Sequence, residues 1–99
     1  MDGLMMDTPL SLIHLFDRGT RLFADKQIVT STPGGMERLS YGDWGDRTRR
    51  LGGMLDDLDI SGDGRVATFA WNNSRHLELY FAAPCTGRVS HTLNLRLFP

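Results

Sequence analysis

The sequence lacks cysteine pairs, long hydrophobic runs and a basic leader. Its single cysteine, Cys85, has no partner for an internal disulfide, which excludes a disulfide-stapled domain and fits a reducing compartment. No stretch approaches the ~20 apolar residues of a membrane-spanning helix. Residues 1–7 contain two aspartates and none of the basic residues that begin a secretory signal. We therefore expect a soluble, cytoplasmic polypeptide without a membrane span.

Charge of either sign is not in excess. Eleven Lys and Arg residues stand against twelve Asp and Glu residues, so the net charge is -1. Nucleic-acid binding requires a basic footprint, and we therefore expect no nucleic-acid partner. The apolar fraction of 40% and the charged fraction of 23% are typical of a globular protein, which excludes disordered and fibrous classes. A chain of 99 residues can form one small domain.

The first half of the chain predicts a helix and a hairpin. A helix is expected over about residues 8–23, because Thr8 can cap it and Pro9 suits the first helical position. Apolar residues then recur at helical spacing: Leu12, Leu15, Phe16, Leu22 and Phe23. A strand over residues 27–31, a turn over residues 32–35 and a strand over residues 37–39 predict a β-hairpin.

The second half predicts a helix followed by a strand–helix–strand unit. Ser40 and Asp43 have capping-box spacing, and the helix that follows should bury Trp44, Thr48, Leu51, Leu55 and Leu58. A strand over residues 65–71 leads to a helix with caps among residues 72–74, which Pro84 should end. A strand over residues 89–93 completes the unit. The predicted fold class is α/β, with a hairpin and a parallel βαβ unit packed with helices.

The clearest metal-site pattern is an incomplete calcium loop. Residues 57–63 place oxygen ligands at loop positions one, three and five and Gly62 at position six, as in an EF-hand. Position twelve is Thr68 where a bidentate glutamate is required, and a strand is predicted where an EF-hand has a helix. We therefore interpret this segment as a polar helix-to-strand connection.

No other residue pattern indicates a site. His14, His76 and His91 fall in three different elements, without a second ligand at metal spacing, so surface or half-buried positions are expected. Cys85 lies at the carboxyl end of its helix, where the dipole raises a thiol pKa. Trp71, Tyr80 and Phe81 are interpreted as core residues, and the glycine pairs as turn or helix features. The prediction is that the chain contains no catalytic, cofactor-binding or metal-binding residue.

A longer pattern resembles a known family. Residues 64–84 read GRVATFAWNNSRHLELYFAAP, and residues 91–97 read HTLNLRL, where relatives have His-Thr-x-Asn-Pro-Arg-Leu. Upstream, the pattern Tyr41-x-Asp43-Trp44 with Arg47, Arg50 and Leu51 resembles a helix of the same family. The chain thus resembles the N-terminal region of medium- and long-chain fatty-acyl-CoA synthetases of the adenylate-forming, AMP-binding superfamily. Departures from that pattern are Leu95 in place of proline, Ser90 in a strand, and Gly42 and Gly45, expected to loosen the helix.

The resemblance implies an acid–CoA ligase. Such an enzyme joins a fatty acid to ATP, with magnesium, as an acyl-adenylate, and CoA then displaces AMP to give the thioester. The family's phosphate-binding loop, adenine pocket and catalytic lysine have no match here, so residues 1–99 are expected to be a truncated, inactive N-terminal portion that binds none of these groups by itself. The apolar end at residues 97–99 fits a sheet cut off part-way. The alternative is a non-enzymatic interaction or dimerisation module, for instance a homodimer.

Overall fold

The computed structural model describes residues 3–97, which form three α-helices and four β-strands. Their order is α1 (Leu12–Leu22), β1 (Gln27–Thr32), β2 (Gly35–Ser40), α2 (Tyr41–Asp57), β3 (Arg65–Thr68), α3 (Ser74–Cys85) and β4 (Val89–Thr92). The predicted mixed α/β class is confirmed. The expectations for the first two residues of the leader and for the last two of the chain lie outside the described residues. No described helix has the length and apolarity to cross a membrane.

Helix α1 begins later than the sequence predicts. It starts at Leu12, and the preceding Ser11 makes no side-chain capping bond. Residues 8–11 are exposed, so the expected start at Thr8 and Pro9 is wrong. Because a short helix gains most of its stability from packing, a turn that contacts nothing has little to hold it. The buried residues of α1 are Phe16 and Thr20, whereas Leu15 and Leu22 are exposed.

The hairpin is confirmed, and its second strand is longer than expected. Strands β1 and β2 pair antiparallel from Gln27↔Ser40 to Thr32↔Gly35, so the turn contains only Pro33 and Gly34. Gly35 has a φ of 124°, which a side chain would strain. The Thr32 hydroxyl donates to the Gly35 carbonyl at 2.8 Å and closes the turn.

Helix α2 begins where the capping pattern places it and packs against both other helices. The Ser40 hydroxyl accepts from the Asp43 N–H at 3.1 Å. A Cβ added to Gly45 would lie 2.6 Å from Thr20 Cγ2 of α1, and one added to Gly52 would lie 3.0 Å from Thr86 Cγ2. The missing side chain of Gly45 therefore lets α1 approach α2 closely. Leu58, predicted to be buried, is 61% exposed.

The βαβ unit is confirmed by the parallel pairing of β3 with β4, with α3 between them in the chain. Asn73 caps α3, because its side-chain oxygen accepts from the His76 N–H at 2.9 Å. Pro84 lies in the last turn, and α3 ends one residue after it. Strand β3 ends at Thr68, three residues earlier than predicted, and Trp71 is 71% exposed. The expectation of a core Trp71 is therefore wrong, because the chain leaves the sheet before this residue.

The core lies between the helices and one face of the β3–β4 pair. Its buried centre is formed by Leu55, Ala82 and Ala83, with Leu51, Ile60 and Val66 packed around them. Next to it, Trp44 contacts Phe16 at a ring-centroid distance of 5.3 Å and Phe81 at 5.1 Å. Packing of Val66 on the buried centre covers one side of the parallel pair, whereas Phe69 and Val89 on its other side are exposed.

Candidate functional site

His76 is buried and holds α3 against β3. Its Nε2 lies 2.8 Å from the Thr68 hydroxyl, and its ring stacks on Tyr80 at a centroid distance of 4.5 Å. The expectation of a surface or half-buried histidine is wrong for His76, which is 5% exposed, because α3 lies directly on the strand that carries Thr68. His14 and His91 are exposed. Within residues 3–97, no group of three His, Cys, Asp or Glu side chains could hold a metal ion.

The connection over residues 57–64 is held by a buried arginine. Arg88 is 7% exposed, its Nη2 contacts Asp56 Oδ1 at 2.6 Å, and the same nitrogen donates to the Ile60 carbonyl at 2.8 Å. The Asp63 N–H donates to the Gly87 carbonyl at 2.7 Å, which fastens the turn to the start of β4. The segment runs into β3 and not into the helix that an EF-hand needs, which agrees with the interpretation as a structural connection.

Cys85 lies half-buried in the last turn of α3 and lines a cavity of about 370 Å³ among the three helices. Burial, and then the negative charge of Asp17, raise the pKa of its thiol. The expected direction of the pKa is thus confirmed, although burial is its main cause. Because the thiolate is the reactive species, this position does not favour a nucleophile.

A second cavity, of about 350 Å³, lies between the hairpin and the start of α3 and contains several charged groups. Arg47 donates through Nε to the carboxylate of Glu78, which is buried, and this hydrogen bond and charge raise the pKa of Arg47. The remaining charged lining groups are Glu37, Arg38 and Arg75. The Arg47–Glu78 pair joins α2 to α3 across 31 residues of sequence and neutralises one of the three arginines. Neither this pair nor the Arg88–Asp56 pair was predicted from the sequence, because helical spacing does not relate residues that lie so far apart in the chain.

The β3–β4 pair has one side that none of these contacts covers. Exposure alternates along residues 65–70, so that Val66 and Thr68 point to the helices and the alternate residues to solvent. We define the outer face of the pair by six exposed residues: Arg65, Ala67, Phe69, Val89, His91 and Leu93. Phe69 is 71% exposed, Val89 48% and Leu93 45%. This is an apolar surface on a parallel pair, a kind of sheet that is normally covered on both faces.

Comparison with known proteins relates the sequence of this chain to AMP-binding enzymes. Residues 16–99 match the family described as AMP-binding enzyme. The whole chain is 45% identical to the 3-methylmercaptopropionyl-CoA ligase of Ruegeria pomeroyi. It is 43% identical to the long-chain-fatty-acid--CoA ligase of Thermus thermophilus over 96% of its length, and 36% identical to the medium-chain-fatty-acid--CoA ligase of Ectopseudomonas oleovorans over 99%.

The matched segment is a small part of each of these relatives. The chain spans 19% of the Ruegeria enzyme and 18% of the Thermus and Ectopseudomonas enzymes. The family match covers the hairpin, all of α2 and α3 and both parallel strands. The three relatives align over the same residues and are named as CoA ligases. On these grounds the chain belongs to the AMP-binding enzyme family.

Proposed function

We propose that this chain is the N-terminal segment of an acid–CoA ligase. The observation that carries the proposal is the family match over residues 16–99, together with the three relatives described above, which are named as CoA ligases. In the proposed reaction, the acid's carboxylate attacks the α-phosphorus of ATP, which gives an acyl-adenylate and releases pyrophosphate. The CoA thiol then attacks the acyl carbon, which gives the thioester and releases AMP.

The proposed acid has an aliphatic chain. The named acids of the relatives are fatty acids of long and medium length and 3-methylmercaptopropionate, which share a carboxylate on a flexible apolar chain. A fatty acid is the substrate class that we propose for the whole enzyme, with ATP, magnesium and CoA as its other requirements.

Among the residues that the structure describes, no group of three His, Cys, Asp or Glu side chains could hold a metal ion. The carboxylates of Asp56 and Glu78 instead pair with Arg88 and Arg47 and link elements that are distant in sequence. The cavity with three arginines also contains Glu37 and adjoins the Glu78 carboxylate. We therefore derive no chemical step through residues 3–97 and propose that the segment supports catalytic groups supplied by the rest of a ligase.

A chimeric enzyme tests the scaffold role. The 96-residue region of the Thermus ligase that matches this chain would be replaced by the chain itself, and acyl-CoA formation measured with a fatty acid, ATP, magnesium and CoA. We expect an active chimera, because the segment supplies the same buried contacts. A matched chimera carrying Leu55→Asp, which places a charge in the core, should be inactive. A folded chimera without adenylation activity would contradict the proposal.

The isolated chain tests the expected absence of catalysis. Incubated with the same four components, the 99-residue polypeptide should give no acyl-CoA and no pyrophosphate above background. Turnover that persists in an independently purified sample and disappears in the Leu55→Asp variant would show that this segment contains catalytic groups.

A further inference from the structure

A third cavity lies among the three helices and β1 and has a volume of about 260 Å³. Four of the side chains that line it are aromatic: Phe16, Tyr41, Trp44 and Phe81. We propose that this cavity binds a small aromatic compound that carries a hydrogen-bond acceptor, such as an aromatic ketone. This inference goes beyond the proposed ligase reaction and does not depend on it, since every residue of the site lies within this chain.

The arrangement of the rings favours an aromatic ligand. The Trp44 ring lies edge-on to Phe81 at an interplanar angle of 88° and tilted against Phe16 at 59°. Aromatic pairs prefer edge-to-face and offset contacts at centroid distances of roughly 4.5–7 Å. A further ring in the cavity would therefore meet both faces and edges of rings in the orientations that such pairs prefer.

Gly19 leaves room for the ligand. It lies within α1, where a glycine lowers helix stability relative to alanine. A Cβ added there would meet Tyr41 Cδ2 at 3.9 Å, which is ordinary contact, whereas one added to Gly45 would lie 2.6 Å from Thr20. Close packing of the helices thus requires a glycine at position 45 but not at position 19. The space beside Gly19 is part of the cavity.

The indole N–H of Trp44 indicates the polar group of the ligand. Trp44 is 5% exposed, and no group within residues 3–97 accepts a hydrogen bond from its Nε1. Buried polar groups are normally paired, because leaving one without a partner costs free energy. The same indole ring lines the cavity. Since indole donates and cannot accept, a ligand with an acceptor oxygen should bind better than a hydrocarbon of the same shape.

NMR of the indole N–H groups tests the proposal, because the chain has two tryptophans. Trp71 is 71% exposed and serves as the internal control for Trp44. The probes are acetophenone and α-methylstyrene, in which a CH₂ group replaces the carbonyl oxygen. We expect acetophenone to shift the Trp44 indole proton downfield to saturation and to leave Trp71 unchanged. Acetophenone should bind about threefold to tenfold more tightly than α-methylstyrene, as expected for one hydrogen bond.

Two glycine substitutions locate the binding site. Gly19→Leu places a side chain in the cavity and should weaken acetophenone binding about tenfold or more. Gly53→Leu is the matched control, since Gly53 is also a helix glycine with space for a side chain but does not line this cavity. It should leave the affinity for acetophenone unchanged.

The outcomes decide the proposal without reference to ligase activity. A saturable shift at Trp44 that is lost in Gly19→Leu and kept in Gly53→Leu supports the site, even if the chimeric ligase is inactive. Equal affinity for the two probes, or equal shifts at Trp44 and Trp71, would overturn the proposal. Binding that persists in a folded Gly19→Leu variant would also overturn it. If Gly19→Leu does not fold, the comparison of the two probes in the natural chain decides.

Discussion

The two sides of the β3–β4 pair differ in what covers them. The inner side is joined to the helices through Val66 and Thr68 and reaches the buried Leu55. On the outer face, Phe69 directly follows β3 and is 71% exposed. Since burial of apolar surface is the main favourable term in folding, the stability of the isolated chain should depend on the inner side and hardly at all on the outer face.

The largest effect is expected from a cavity on the inner side. Leu55→Ala should lower the free energy of unfolding by about 2–5 kcal/mol, because it removes buried methyl groups from a core residue. Leu55 is 3% exposed, whereas Leu58 on the same helix is 61% exposed. Leu58→Ala is the control and should change stability by no more than about 0.5 kcal/mol. Urea unfolding followed by circular dichroism measures both, and equal effects would contradict the assigned core.

The next largest effect concerns the contact between α1 and α2. Gly45→Ala should destabilise the chain by about 1–3 kcal/mol, because the added Cβ would lie 2.6 Å from Thr20 Cγ2. Thr20 cannot turn away freely, since its hydroxyl donates to the Phe16 carbonyl at 2.9 Å. Gly53 has no atom within 4 Å of an added Cβ. Gly53→Ala should therefore stabilise α2 by about 0.5–1 kcal/mol in the same urea experiment.

A second substitution identifies the methyl group as the cause of the Gly45 effect. Thr20→Ser retains the hydroxyl and removes Cγ2, so stability lost in Gly45→Ala should largely return in the double variant. A double variant as unstable as the sum of the two single variants would show that α1 and α2 are not in this close contact.

A smaller effect is expected from the thiol among the helices. Burial and Asp17 raise the pKa of Cys85 above its ordinary value of 9.0, so the folded chain holds the thiol proton more tightly than the unfolded chain. The resulting stabilisation is complete below pH 9.0 and is lost as the pH rises through the folded-state pKa. The free energy of unfolding should therefore fall with rising alkaline pH more in the natural chain than in Cys85→Ala.

Alkylation provides an independent measurement of the same pKa. At pH 8 iodoacetamide should modify Cys85 more slowly in the folded chain than in urea, because only the thiolate reacts. Asp17→Asn should increase the folded-state rate slightly by removing the nearby negative charge. Equal rates for folded and unfolded chains would place the thiol outside the helix interface.

The smallest effect is expected on the outer face. Phe69→Ser should change the free energy of unfolding of the isolated chain by no more than about 0.5 kcal/mol, because its side chain is already exposed to water. The same substitution in the Thermus chimera should cost more, because a scaffold segment is expected to pack its outer face against the rest of the ligase. Thermal unfolding of the chain and the chimera, each with and without the substitution, measures the difference. An equal effect in both would indicate that Phe69 stays exposed.

Short-range signals in the sequence were enough to predict most helices and strands. Capping at Ser40 and Asn73 and the Pro33–Gly34 turn each depend on residues only a few positions apart, and all were predicted in place or within their expected segment. The strand–helix–strand spacing likewise predicted the parallel pair. The longer resemblance over residues 64–97 identified the family, since it depends on residue identities that secondary-structure pattern alone does not require.

The contacts between distant side chains could not be predicted from the sequence and are visible only in the folded chain. Gly45 faces Thr20, Arg47 binds Glu78 and Arg88 binds Asp56, although 25 or more residues separate each pair along the chain. The spacing of apolar residues predicted an apolar stripe on α1, but it did not distinguish the buried Phe16 from the exposed Leu15. Burial and close contact are properties of the packed assembly, since each depends on elements distant in sequence. For that reason the helices and strands could be predicted from the sequence, whereas the exposed outer face of the β3–β4 pair became apparent only from how they pack.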